Sequence, residues 1–145
     1  AEILHTDFAV TAEIYSLTSA NELARDARDV ARWNLLNPSL ERRTSHIAQI
    51  LEGDAPIVAA SDHIKCLIEQ LGGEVRCPFH VLGTDGFGRS DTRETLRDFF
   101  EVDRRFVALA ALKALAEQQK ITLDVVEKAR ASWGISSDKP NPRLA

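Results

Sequence analysis

Hydrophobic and polar positions change period several times along the chain, and each change marks an element. Residues 10–17, Val-Thr-Ala-Glu-Ile-Tyr-Ser-Leu, mix β-branched and apolar types and stop at the helix-capping pair Thr18-Ser19, which predicts a strand. Residues 21–36 place Leu23, Ala27 and Val30 at helical spacing among charged residues until Pro38, which predicts an amphipathic helix. A polar loop over 39–45 precedes a short apolar helical turn over 46–51, closed by Gly53. Residues 56–60 form a continuous apolar run, the pattern of a strand buried on both faces. Ser61 or Asp62 is then expected to cap a helix carrying Ile64, Leu67, Ile68 and Leu71 on one side, ended by Gly72-Gly73.

The strand predicted at 79–82 runs directly into Gly83-Thr84-Asp85-Gly86-Phe87-Gly88, and a helix is expected from Asp91, with Glu94 as its capping-box partner. Residues 103–118 read as a helix apolar on most of its circumference, hence buried. A last helix starts at Thr122, with Ile121 and Val126 at the positions of a hydrophobic staple, and ends near Trp133-Gly134. Strands alternating with helices predict an α/β fold with a mostly parallel sheet and helices on both faces, the pair over 103–133 covering one of them. The domain is expected over 1–135 and a tail over 136–145, which contains Pro140 and Pro142.

Composition narrows the class. A chain of 145 residues, 44% hydrophobic and 28% charged, has ordinary globular composition and needs neither disulfides nor metal to fold. The formal charge of −4 argues against nucleic acid as a partner, since such domains usually carry a clustered basic face. No run approaches the roughly 18 apolar residues of a membrane span, and no export signal opens the chain, so no membrane partner and a cytoplasmic location are expected. Cys66 and Cys77 are then expected to be reduced, with Cys66 in the core.

Chemistry has one plausible place. The loop carrying Gly83, Asp85, Gly86, Gly88, Arg89, Ser90, Asp91 and Arg93 can take positive φ, approach another group closely and offer N–H groups at the following helix start to an anion. The competing reading is a tight strand-to-helix turn whose backbone is packed against a partner domain. The spacing is neither a dinucleotide fingerprint nor a P-loop. Of the four histidines, only His80 lies near a cysteine, Cys77, and no second ligand pair accompanies them, so no metal site is expected. Without a nucleophile elbow or an activated cysteine, no catalytic residue is assigned. Asp26, Asp29, Asp98 and Glu101 alternate with arginines as surface charges, and Trp33-Asn34 reads as a packing plug.

Several stretches are familiar together: Glu22-Leu23-Ala24-Arg25-Asp26, Val30 to Pro38, Val81 to Glu94, Phe100-Glu101-Val102-Asp103 and Asn141-Pro142-Arg143-Leu144-Ala145. They resemble the C-terminal domain of the homodimeric type of pyruvate dehydrogenase first component, a thiamine-diphosphate-dependent decarboxylase. The resemblance runs from about Val10 to the last residue. It implies a transketolase-like three-layer α/β/α sandwich with a mixed sheet of about five strands, the N-terminal strand missing here. It also implies a parent enzyme that decarboxylates pyruvate and transfers acetyl to lipoyl groups. The implied partners are the preceding domains of the same chain, a second subunit and the dihydrolipoyl acyltransferase core.

The chain departs from the family at His63 and over 72–77, on the edge expected to face the rest of the enzyme. The Gly-Asp-Gly segment and later asparagine that hold magnesium and diphosphate in such enzymes have no counterpart: Thr84 precedes Asp85-Gly86, and residues 110–116 contain no asparagine. The resemblance therefore puts the cofactor in preceding domains, and no cofactor is expected on these residues. A related 2-oxo acid dehydrogenase, or a stand-alone anion-binding or docking module, is the alternative. The absence of methionine, and an Ala1 to Leu4 stretch that reads like the last turn of a helix, suit a piece of a longer chain. Such a piece is expected to self-associate or to be poorly stable, with Ile3, Leu4 and Phe8 covering exposed surface.

Overall fold

A computed structural model describes residues 1–145. At its centre two short strands, β1 (Ile57–Ala60) and β2 (Phe79–Leu82), pair in parallel, with Ile57 opposite Phe79 and Ala60 opposite Leu82. Parallel neighbours need a crossover. Residues 61–78 supply it through the short helix α4 (Cys66–Glu69) and a 3₁₀ turn at Gly72–Glu74.

Side chains alternate between the faces of a strand. Ala59, Phe79 and Val81 pack with Ala20, Ala24, Ile47, Ile68 and Leu71, contributed largely by α2 (Ala20–Leu36), α3 (His46–Ile50) and α4. His80, one position out of phase, meets α6 (Arg104–Glu117), its Nε2 lying 3.8 Å from Glu117 Oε2. The result is three layers, with α2 and α4 on one side of the sheet and α6 on the other.

A second core lies behind α6. Leu4 of α1 (Glu2–Phe8), Ala108 and Leu112 of α6, and Val126 and Ala129 of α7 (Leu123–Ser132) are buried together, Leu112 completely. Phe8 meets Trp133 edge to face at 5.7 Å. Ile3, Leu4 and Phe8 thus cover the α6–α7 pair. Helix α1 ends at Ala9, whose φ of 54° lets Val10 N–H reach back to Leu4 O, a left-handed C-cap. The Ile121–Val126 staple forms as expected: Val126 is buried in this core and Ile121 packs against it.

Helix α2 follows its sequence signals. Ser19 accepts from Glu22 N–H at its start, and Ala20, Ala24 and Ala27 form the buried stripe. At its end Asn34 grips Arg43 through both backbone groups, each at 2.9 Å, and the Arg43 guanidinium lies 3.9 Å over Trp33. Trp33 is therefore a packing residue. Asp26 binds no arginine but accepts His46 N–H at 2.7 Å, fastening the start of α3.

Five expectations fail, each for a physical reason. Residues 10–17 form no strand, and every residue over 11–18 is exposed, Ile14 at 80%. Strand propensity reflects packing on a pleated surface, and no ladder reaches this segment. The sheet accordingly has two strands, not the larger number implied by the resemblance. Helix α4 begins at Cys66, not at Ser61 or Asp62, because the backbone before it is committed to the Gly83 loop, and Ile64 is exposed in consequence. That shift also turns Cys66 outward, while Cys77 is the buried, free cysteine. Finally, the helix expected from Asp91 starts at Arg93: Thr92 caps α5 (Arg93–Phe99) by accepting Thr95 N–H, and Glu94 completes no capping box.

Two consequences can be measured. Leu112→Ala opens a cavity in the α6–α7 core and is expected to cost about 2–4 kcal/mol in urea unfolding; a loss near zero would mean that this core is not formed. The second concerns Asp103, the N-cap of α6. Partial burial pushes its carboxyl up, but bonds donated by the Arg105 side chain and by the Phe106 and Arg105 backbone outweigh burial and hold it below its ordinary value of 3.8. A depressed carboxylate stabilises the fold above its unfolded pKa, and that contribution is lost as pH falls through the folded value. Asp103→Asn, which keeps a capping oxygen, should therefore cost about 1 kcal/mol at neutral pH. The difference from the native chain should shrink below about pH 3.

Candidate functional site

The glycine loop begins where β2 ends, and its path is set by the turn that follows β1. Ser61 N–H donates to Leu82 O at 3.0 Å, carrying the parallel ladder one step past the strands. Thr84 N–H donates to His63 O and Thr84 Oγ1 to Asp62 O, while the Asp85 carboxylate accepts Lys65 N–H at 3.0 Å. A side chain at Gly83 has no room here: a Cβ would lie 2.6 Å from His63 O and 3.0 Å from Lys65 N. Asp85 thus fastens the start of α4.

Beyond Asp85 the loop meets the C-terminal segment. Gly86 has φ +117°, and a Cβ on it would lie 2.6 Å from Pro142 O and 3.1 Å from Arg143 Cα. The segment is held on the other side by Lys139, whose Nζ donates to Phe99 O at 2.8 Å and lies near Glu101 and the ring of Phe106. Arg105 joins Asp98 to Asp103 and reaches Trp133 O. Its guanidinium pKa is raised, first by the hydrogen bond to Asp103. The packed-turn reading of the loop therefore describes its inner side, the partner being the chain's own tail.

The outer side is open. A groove of about 450 Å³ runs along it, lined by Thr84, Gly86, Gly88, Arg89, Arg93 and Arg97, with Phe87 at its rim 82% exposed. Arg89 stacks at 4.1 Å over the ring of Phe99, which fixes its guanidinium plane. None of these three arginines lies within 4.0 Å of a carboxylate. Of the remaining sequence-selected residues, Ser90 is exposed, and Asp91 accepts Thr92 N–H.

Sequence reasoning missed Arg97, Asp62, Thr84 and Pro142. Arg97 was legible, standing one helical turn after Arg93. The others come together only through the parallel ladder and the return of the tail. No group of three His, Cys, Asp or Glu side chains is placed to hold a metal ion, Cys77 and His80 included.

Gly86→Ala tests the loop–tail contact. The substitution forces a Cβ onto Pro142 in a left-handed backbone and is expected to cost about 1–3 kcal/mol, with faster proteolysis after Ile135. Unchanged stability and cleavage would mean that the tail is not seated on Gly86.

The comparisons with known proteins agree along the chain. The family model described as "Transketolase-like TK C-terminal domain" matches residues 1–103. The pyruvate dehydrogenase E1 component of Escherichia coli K12 is 50% identical over 146 aligned residues, covering 100% of this chain. The E1 component of Haemophilus influenzae is 47% identical with the same coverage, and that of Pseudomonas aeruginosa is 46% identical over 98% of the chain. The chain spans 16% of the length of each relative. A domain match over most of the chain, together with a three-layer α/β arrangement, establishes that this chain belongs to the transketolase-like C-terminal domain family.

Proposed function

We propose that this chain is the C-terminal, structural and assembly domain of a pyruvate dehydrogenase first component. Its parent enzyme decarboxylates pyruvate with thiamine diphosphate and magnesium and transfers the acetyl unit to lipoyl groups. One observation carries the reading. The family match ends at residue 103, yet similarity to pyruvate dehydrogenase E1 components continues through α6, α7 and the tail. That continuation distinguishes these relatives from the transketolase-like family at large.

The residues of this chain do not suit the cofactor. A magnesium–diphosphate anchor needs clustered oxygen ligands, and no such cluster is formed, while the loop carboxylates Asp85 and Asp91 are engaged by Lys65 N–H and Thr92 N–H. No step of the reaction is therefore assigned to this chain, and its part is to hold other surfaces together. The preceding domains of a longer chain, a second subunit and the acyltransferase core are the proposed partners, in the cytoplasm. Exposed large apolar side chains support such contacts: Ile14, Tyr15 and Leu17 on the extended segment, and Leu35, Leu36 and Leu40 around the end of α2. No helix is long and apolar enough to cross a membrane.

The full-length protein, supplied with thiamine diphosphate, magnesium and a lipoyl acceptor, should turn over pyruvate faster than 2-oxobutyrate or branched 2-oxo acids. Preference for a branched substrate would reassign the parent to a related dehydrogenase. Calorimetric titration of the 145-residue chain with thiamine diphosphate and magnesium should show no heat of binding, and a micromolar affinity would overturn the separation of chemistry from this domain.

A further inference from the structure

Backbone N–H groups are strong donors that bond to protein where they are buried and to water where they are exposed. Over residues 85–91 none of them donates a hydrogen bond within the chain: the bonds of this loop are made by Thr84 before it and Thr92 after it. Of these residues Gly86, Phe87, Gly88, Arg89 and Asp91 line the groove, together with Arg93 and Arg97, and the three arginines among them have no carboxylate partner. The lining carries two carboxylates, Asp62 and Asp91, so the groove is net positive in a chain of net charge −4. Asp91 already accepts Thr92 N–H.

Gly88 adds an independent observation. Its φ is outside the left-handed region, and a Cβ there would meet nothing within 4 Å, so nothing inside the fold calls for glycine. Without a side chain, Gly88 leaves its amide open to close approach from outside the fold.

We propose that this groove is a binding site for a phosphate-class dianion, either inorganic phosphate or the phosphoryl end of a small phosphomonoester. The chemistry selects it. Planar guanidinium forks match phosphate oxygens bidentately. Successive backbone amides around a positive-φ glycine form a concave anion-binding nest. Phosphate offers oxygens enough to use both sets at once, with Arg93 and Arg97 on one side and the amides of Gly86 to Ser90 on the other. Arg89, pinned on Phe99, is the pre-ordered member, and exposed Phe87 gives a phosphomonoester an apolar surface for its organic part. The proposal does not depend on the activity of the parent enzyme.

The test is an amide-resolved NMR titration of the 145-residue chain with sodium phosphate, and separately with phenyl phosphate, benzoate and sodium chloride at matched ionic strength. Phosphate is expected to shift the amides of Gly86 to Ser90 saturably, with Kd on the order of 1 mM for so small a ligand. Arg93→Gln with Arg97→Gln should weaken binding about tenfold, and Arg25→Gln on α2 should leave it unchanged. Tighter binding of phenyl phosphate assigns a phosphomonoester, and equal binding assigns free phosphate. Benzoate binding as well as phosphate, shifts that never saturate, or saturable shifts that survive the double substitution would each overturn the proposal. Phosphorus-31 line broadening with the full-length protein, lost in the same double variant, provides the second readout should the shorter chain not stay folded.

Discussion

The parallel pairing of β1 with β2 is the constraint on which the rest of the structure depends, because it does not stop at the strand ends. Ser61 N–H on Leu82 O, Thr84 N–H on His63 O and Asp85 on Lys65 N–H continue the zipper through both exit loops. Two four-residue strands bury little by themselves. Fastening their C-terminal ends fixes where α4 can start and where the glycine loop must run. The same constraint expels Ile64 from the core, since a helix beginning at Asp62 would need the Asp62 and His63 carbonyls, which already accept from Thr84. In open α/β sheets ligands gather beyond the carboxyl ends of the strands, and here that end opens onto the arginine-lined groove.

Core burial is divided, and α6 stands between the sheet and α7. One cluster fills the space between the sheet and α2, α3 and α4, while the other fills the space between α6, α7 and α1. An alanine- and leucine-rich helix suits this position, because its small residues allow close approach on two sides. Ala108, Leu112 and Ala114 are buried, whereas Lys113 and Glu117 pair on the solvent side. Hydrogen bonding to Lys113 holds the Glu117 carboxyl below its ordinary range.

Local signals in the sequence were reliable wherever the element satisfied itself. Ser19 as a cap, the 79–82 strand and the helices over 20–36 and 104–117 follow from propensity, capping and periodicity, all of which act within a few residues. Failures cluster where distant backbone decides. Residues 10–17 have strand composition, but a strand is defined by the neighbour it pairs with. Cys66 lies in a stretch whose Ile64, Leu67, Ile68 and Leu71 have helical spacing, but its facing depends on where α4 begins, which Asp85 sets from across the crossover. The loop and its arginines were legible as the candidate site. That its inner wall would be Pro142 was not, because contact between positions so far apart in the chain leaves no periodic trace.

The three glycines of the loop look alike in sequence and do three different things. Gly83 makes room for the His63–Lys65 backbone, and Gly86 supplies a left-handed turn against Pro142. Either requirement is internal to the fold and would hold in a domain with no ligand at all. Gly88 answers to neither, and a side chain there would meet only open space. Packing explains the inner side of this segment completely. On the outer side the free amides and unpaired guanidiniums remain, each of which gains by meeting an anion and none of which contributes to the fold by being left open to water.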